Sequence, residues 1–335
     1  MNAVSIVLII AGLILPAGTC DFSETAAANQ SRSLASGGAS PILADSAIAS
    51  AGKEADNSSI RWYERKKNTK LKGVALVIHG LNGRPDKMEP IITQMTAAGI
   101  DCLNLSLRGH GTNYFDGNNT ESDDARMAAF KSVTYPLWKT EAYQAYQRVQ
   151  RKSNLLGSPL FFVGFSMGGL LGVDLLSSNA DVAFDKMVLF APALKMHARN
   201  QLLKILSPFP GIVIPSVAHK SYLSNEGTPM AAYNALFDMY QHLEDHLDPK
   251  INIPTVVFID PQDELISFSG LQNMVRDQNL DQWEIHPVKK DQTATQVKMH
   301  HLIIDEASVG KKTWQEIVDV TIAHFAGVQR AGPAD

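Results

Sequence analysis

Three short stretches of the chain carry side chains able to pass a proton between them. The first is Gly164-Phe165-Ser166-Met167-Gly168-Gly169, entered from the apolar run Pro159 to Val163. A buried strand that ends in Gly-x-Ser-x-Gly and turns at once into a helix is a nucleophile elbow, which stands its serine on a sharp corner clear of the backbone. The second is Asp260-Pro261-Gln262-Asp263-Glu264, and the third is Met299-His300-His301-Leu302-Ile303. A serine hydroxyl is a poor nucleophile at neutral pH. A histidine has to take its proton, and a carboxylate has to fix the histidine's tautomer and steady the imidazolium that forms. The residue types alone leave two choices open, Asp263 or Glu264 as the acid and His300 or His301 as the base.

These stretches need elements that bring them together. From Ile60 onward, apolar runs of strand length alternate with helical stretches, the pattern of a mostly parallel sheet with helices on both faces, an α/β fold. Strands are expected at Val74–His79, Ile100–Leu105, Leu160–Gly164, Lys186–Phe190, Thr255–Asp260 and Trp283–Val288. Helices are expected at Lys87–Ala98, Leu137–Lys152, Met167–Ser177, Phe268–Asn279 and Thr313–Ala326. Ser166, Asp263 and His301 then all follow the carboxyl ends of strands, where open α/β sheets hold their ligands. The connection from Phe190 to Thr255 is far longer than one crossover helix requires. The surplus, about 194–248, reads as an insertion, and it carries Leu202, Leu203, Ile205, Leu206, Phe209, Ile212, Val213 and Ile214. The stretch Lys289–Met299 before the histidines reads as an excursion of the last loop.

With the elbow, the Asp263 turn and His301-Leu302-Ile303 stand two further pieces, His79-Gly80-Leu81-Asn82-Gly83 after the first long strand and Leu107-Arg108-Gly109-His110-Gly111 after the second. In this order they resemble the α/β-hydrolase fold superfamily, and within it the monoacylglycerol lipase, carboxylesterase and serine aminopeptidase-like group. The resemblance covers the body of the chain, about 60–330, and implies a helical cap where the insertion lies. It implies Ser166 as nucleophile, Asp263 as the orienting acid and His301 as general base. It also implies an oxyanion hole made by the backbone N–H groups of Leu81 and Met167. No cofactor is implied. The expected substrate is a small acyl ester or lipid, such as a monoacylglycerol. An aminopeptidase or amidase of the same fold is the alternative, with Glu226, Glu244, Asp245 and Asp248 as carboxylates available to an α-ammonium group. A non-catalytic binding protein on the same scaffold is a third reading, against which stands the presence of all three polar partners.

The N-terminus differs in kind. Val4 to Pro16 is almost wholly apolar, the length of a signal-peptide core and short for a membrane span, and Ala17-Gly18-Thr19-Cys20 follows it. Small residues before Cys20 resemble the cleavage box of bacterial lipoproteins, which makes Cys20 a lipidation candidate. The expectation is therefore a signal peptide over 1–20, export to a bacterial cell envelope and anchoring to a membrane through the N-terminus. Residues 21–59, rich in Ala, Ser, Gly and Asn, read as a flexible tether. A formal net charge of −4 without a long basic cluster excludes a nucleic-acid partner. Two cysteines supply no disulfide framework, Cys102 reads as a buried inert thiol, and no Cys/His cluster has metal-ligand spacing.

Overall fold

The computed structural model describes residues 59–114, 122–216, 218–296 and 298–326. The expected signal peptide with Cys20, and the tether save its last residue, lie outside the described residues. In chain order the elements are β1 (Ile60–Tyr63), β2 (Gly73–Ile78), α1 (Glu89–Ala97), β3 (Ile100–Leu105), α2 (Asp123–Lys131), α3 (Tyr135–Leu156), β4 (Leu160–Phe165), α4 (Met167–Ser178), β5 (Lys186–Phe190), β6 (Val213–Pro215), β7 (Gly227–Pro229), α5 (Met230–Asp245), β8 (Thr255–Ile259), α6 (Phe268–Asp277), β9 (Trp283–Pro287), α7 (Glu306–Val309) and α8 (Lys311–Phe325).

Seven strands form one sheet in the order β1-β3-β2-β4-β5-β8-β9. Only β1 runs antiparallel to its neighbour, pairing Ile60 with Leu105 and Tyr63 with Cys102. The others are parallel. This is the α/β-hydrolase architecture. The central strands β2, β3 and β4 are buried at every residue, because successive side chains enter two separate cores. Leu76, Ile78, Phe162, Leu189 and Val257 pack under α3, α4 and α5. Ala75, Val77, Phe161, Val188 and Phe258 pack on the other face under α1 and α8. Each large apolar side chain so enclosed stabilises the fold by about 1.5–3 kcal/mol. That two-sided burial is why these strands read as unbroken apolar runs. The thiol of Cys102 is free and lies in the second core.

Among the elements absent from the sequence expectation are β1, α2 and the single turn of α7. Strand β1 has only four residues and is half-exposed along most of its length, so it carries no apolar run. Helix α2 is opened by Ser122, whose hydroxyl accepts from the Ala125 N–H, and only Ala129 and Phe130 are buried. The stretch expected as an insertion, 194–248, holds structure of two kinds. Its last part is α5, whose Ala232, Ala235, Leu236, Met239 and Leu243 belong to the same core as α3 and α4. The part before it is irregular. It comprises a 3-10 helix over Ala198–Leu206, another over Lys220–Tyr222, and the ribbon in which β6 pairs antiparallel with β7. Among the described residues no helix is long and apolar enough to cross a membrane.

Candidate active site

The corner between β4 and α4 is built by glycines. A Cβ on Gly164 would stand 2.7 Å from the Gly169 backbone, and one on Gly168 would stand 2.3 Å from the Ile78 carbonyl oxygen. Their absence lets the helix start directly against the sheet. Ser166 takes the strained remainder, with φ 53° and ψ −116°, a region that residues with side chains rarely occupy. It is held there by its N–H, which donates to the Phe190 carbonyl at 2.9 Å, and by its own carbonyl, which accepts from Leu170 and Ala193 at 3.1 and 3.0 Å. Ser166 is thereby the N-cap of α4.

Contact distinguishes Asp263 from Glu264 and His301 from His300. His301 Nε2 lies 2.8 Å from Ser166 Oγ, and His301 Nδ1 lies 2.8 Å from Asp263 Oδ2. Ser166, Asp263 and His301 are all buried, at 9, 4 and 4% exposure, so water does not compete for these bonds. Asp263 Oδ1 accepts from the N–H groups of Leu265 and Ile266 at 2.8 and 2.9 Å. Burial alone would raise the Asp263 carboxyl. The His301 imidazole and the Ile266 and Leu265 N–H groups more than offset this and hold it below the usual carboxylate range. An ionised Asp263 keeps the Nδ1 proton on His301 and leaves Nε2 free to receive the hydroxyl proton. His300 turns elsewhere, its Nδ1 lying 2.8 Å from Asp260 Oδ2.

Glu264 has a different task from the one weighed for it. Its two carboxylate oxygens accept from the backbone N–H groups of His300 and His301, at 2.9 and 3.0 Å. It grips the histidine loop by the main chain. Lys290 grips the same loop from beneath, its ammonium donating to the carbonyls of Gln296, Met299 and Leu302 at 3.0, 2.7 and 3.0 Å. Lys290 matches no motif, and Glu264 enters one only within the Asp263-Glu264-Leu265-Ile266 turn. The only sign of Glu264 in the sequence is its place beside the acid.

Leu81 and Met167, the expected oxyanion donors, both lie in the turns beside Ser166. Met167 is the first residue of α4, at the positive end of its dipole. A Cβ on Gly80, just before Leu81, would stand 3.2 Å from Ser166 Cβ. Among the described residues neither N–H is matched with an acceptor. His79 and His110 underlie this loop, with ring centroids 4.5 Å apart. Each accepts a backbone N–H at Nε2, His79 from Leu107 at 3.2 Å and His110 from Asn82 at 3.0 Å. That fixes both as neutral imidazoles. A cavity of about 650 Å³ is lined by Arg61, Arg84 and Arg126 and not by Ser166. Their charges are met by Glu89, Asp86 and Asp123, and no nucleophile stands beside a base there.

Residues 69–226 match the family model for serine aminopeptidases of the S33 kind. The chain is 25% identical over 197 residues to the thermostable monoacylglycerol lipase of Bacillus sp. strain H-257, covering 57% of this chain and 70% of that lipase. A soluble variant of the monoglyceride lipase of Saccharomyces cerevisiae superposes with a TM-score of 0.62 at 12% identity, over 80% of this chain and 90% of that one. A structure from the metagenome-derived lipolytic enzymes LipS and LipT gives a TM-score of 0.60 at 18% identity, over 80% and 97%. The chain has the α/β-hydrolase fold. Its likenesses lie with monoacylglycerol lipases, lipolytic enzymes and serine aminopeptidases, and together they support a serine hydrolase.

The buried imidazoles give this hydrolase a definite response to acid. Burial pushes His79 down to about 4 and His110 well below its ordinary value. Burial, with Lys186 nearby, also pushes His324 on α8 down to about 4. In the unfolded chain an imidazole titrates near about 6.5. Between roughly pH 6.5 and pH 4 the unfolded chain therefore binds protons that the fold refuses, and stability falls as pH falls through that window. The contribution of His79 alone is on the order of 3 kcal/mol at the lower edge. Calorimetry is expected to show a Tm that is level above about pH 7 and drops progressively below about pH 6.5. A Tm unchanged down to about pH 4.5 would contradict the neutral assignment.

Proposed function

We propose that the chain is an exported ester hydrolase that cleaves monoacylglycerols or short to medium acyl esters through an acyl-serine intermediate. The observation that carries the reading is the unbroken relay from Asp263 through His301 to Ser166 at a strained, buried elbow. Ser166 Oγ attacks the ester carbonyl as His301 Nε2 takes its proton. The oxygen that becomes negative is met by the N–H groups of Leu81 and Met167. Each such donor is worth about 3 kcal/mol of barrier. Collapse expels the alcohol, protonated by His301, and leaves the acyl group on Ser166. Water then enters on the same face and attacks the acyl carbonyl as His301 takes its proton. Collapse breaks the acyl–Oγ bond, returns that proton from His301 Nε2 to Ser166 Oγ, and releases the acid.

An acyl ester is favoured over an amide by the inserted chain. Its first part is tied to the acid turn. His197 lies 3.1 Å from the Asp263 carbonyl, and Asn200 Nδ2 donates to the Leu265 carbonyl at 2.9 Å. Beyond these ties Leu202, Ile205, Phe209 and Val213 are exposed, apolar side chains available to an acyl group. The name of the Bacillus relative, a monoacylglycerol lipase, supports the same substrate class. Of the four carboxylates considered for an α-ammonium group, Glu244, Asp245 and Asp248 have other partners. Glu244 pairs with Lys195 at 3.0 Å, and Asp248 accepts from the Lys250 N–H at 2.8 Å.

Ser166→Ala is expected to lower the hydrolysis of p-nitrophenyl esters and monoacylglycerols by about a thousandfold or more and to abolish labelling by a fluorophosphonate. Retained turnover or equal labelling would sink the assignment, and aminoacyl-nitroanilide turnover with no ester preference would move it to the aminopeptidase reading. Export rests on the apolar segment Val4 to Pro16 and the small residues before Cys20. Mass spectrometry of protein from the producing cell is expected to find an N-terminus at Cys20 carrying lipid, whereas an intact Met1 would refute export.

A further inference from the structure

We propose that Asn82 is a positioning residue for the oxyanion loop, and that through it the inserted segment 216–228 sets how well the Leu81 N–H meets the developing charge. The inference deepens the ester-hydrolase reading and rests on it. Asn82 directly follows Leu81, is 1% exposed and sits in the left-handed region at φ 53°, which Asn tolerates better than most residues.

Every polar group of Asn82 is engaged. Its N–H donates to His110 Nε2 at 3.0 Å, which fastens the loop to the core. The remaining groups all face the inserted segment. The side-chain amide donates to Ser216 Oγ at 2.9 Å and to the carbonyls of Asn225 and Gly227 at 3.0 and 3.3 Å. Its Oδ1 accepts from the backbone N–H and side-chain amide of Asn225, at 2.9 and 3.2 Å. Its carbonyl accepts from the Ser224 N–H at 2.9 Å. The next two residues continue the seam, since Gly83 bridges Leu223 in antiparallel fashion and the Arg84 N–H donates to the Tyr222 carbonyl at 2.9 Å. The same Tyr222 donates its hydroxyl to Asp305 at 2.8 Å, and Asp305 caps α7 just beyond the histidine loop.

Segment 222–225 is therefore a clasp across two of the loops that surround Ser166. A buried amide with all its hydrogen bonds made is rigid, and leaving any of those groups unpaired is costly. An oxyanion donor helps only if it is aimed before the charge appears. Asn82 supplies that aim. A shift of 216–228 cannot occur without releasing Asn82 and with it the main chain that carries the Leu81 N–H.

Asn82→Asp keeps shape and the left-handed turn but replaces the two donor protons with an acceptor facing the Asn225 and Gly227 carbonyls. With active sites counted by fluorophosphonate titration, kcat for p-nitrophenyl butyrate is expected to fall about 10- to 100-fold, with KM changed little. Affinity for a trifluoromethyl ketone, which forms an oxyanion on the serine, should fall by the same factor, and the pH–rate profile should keep its shape. A merely structural role would lower Tm and leave kcat per titrated site and ketone affinity as in the parent, which would overturn the proposal. If Asn82→Asp gives no folded protein, Asn225→Ala decides. It removes one partner of Asn82 Oδ1 while leaving the backbone bonds. Matched losses of threefold or more in kcat and ketone affinity, on the order expected for one weakened donor contact, support the proposal, and their absence overturns it. Ser166→Ala run alongside separates the two failures. If it stays active, the ester-hydrolase reading itself falls, and if it is dead while both Asn variants match the parent, only the role of Asn82 does.

Discussion

The backbone at Ser166, bent to φ 53° and ψ −116°, is the constraint on which the rest of the site depends. Such a conformation costs on the order of 1–3 kcal/mol and persists only where its surroundings over-determine it. Here they do so from three sides. The end of β5 accepts the Ser166 N–H, the start of α4 and Ala193 use its carbonyl, and Gly164, Gly168 and Gly169 let helix and sheet close to distances no side chain would permit. Two things follow from the one bend. The hydroxyl points out of the sheet toward His301, and the first free N–H of α4 comes to stand beside it.

A corner of this kind is useful only if its partners arrive with similar accuracy, and they come from loops far away in the chain. The structure meets this by gripping loops through their main chain. Glu264 holds the N–H groups of His300 and His301, Lys290 holds three carbonyls around them, and Asp263 spends one oxygen on its own turn so that the other is aimed at the imidazole. Main-chain contacts of this sort explain why adjacent histidines part company. With both N–H groups fixed, one ring goes to Asp260 and its neighbour to Ser166. The acidic neighbours of His301 thus divide into one that orients the ring and one that orients the backbone.

Much of the fold was legible in the sequence because burial on both faces of a sheet leaves an unambiguous mark. Ile100–Leu105 and Lys186–Phe190 are strands at the residues expected, and the other expected strands agree to within a residue at either end. The relay was legible as residue types at strand ends, with Asp263 and His301 singled out by resemblance and joined to Ser166 by contact. What stayed hidden acts without periodicity. Strand β1 is too short and too exposed to show alternation. Helix α5 shows its apolar repeat, yet nothing in the residues separates a crossover helix from a cap helix until it is seen in the core with α4. Glu264, Lys290 and Asn82 use their side chains on backbone groups distant in sequence, and a backbone group carries no signature of the residue that will bind it.

In the proposed ester-hydrolase reading, Ser166 becomes covalently acylated during turnover. Mixing the enzyme with p-nitrophenyl butyrate, quenching in acid within the burst and mapping peptides by mass spectrometry tests it directly. A butyryl group is expected on the peptide containing Ser166, assigned to that residue by fragmentation and gone once substrate is exhausted. A burst of nitrophenol with the acyl group on another residue, or steady turnover with no acylated peptide under conditions where deacylation is slow, would contradict it.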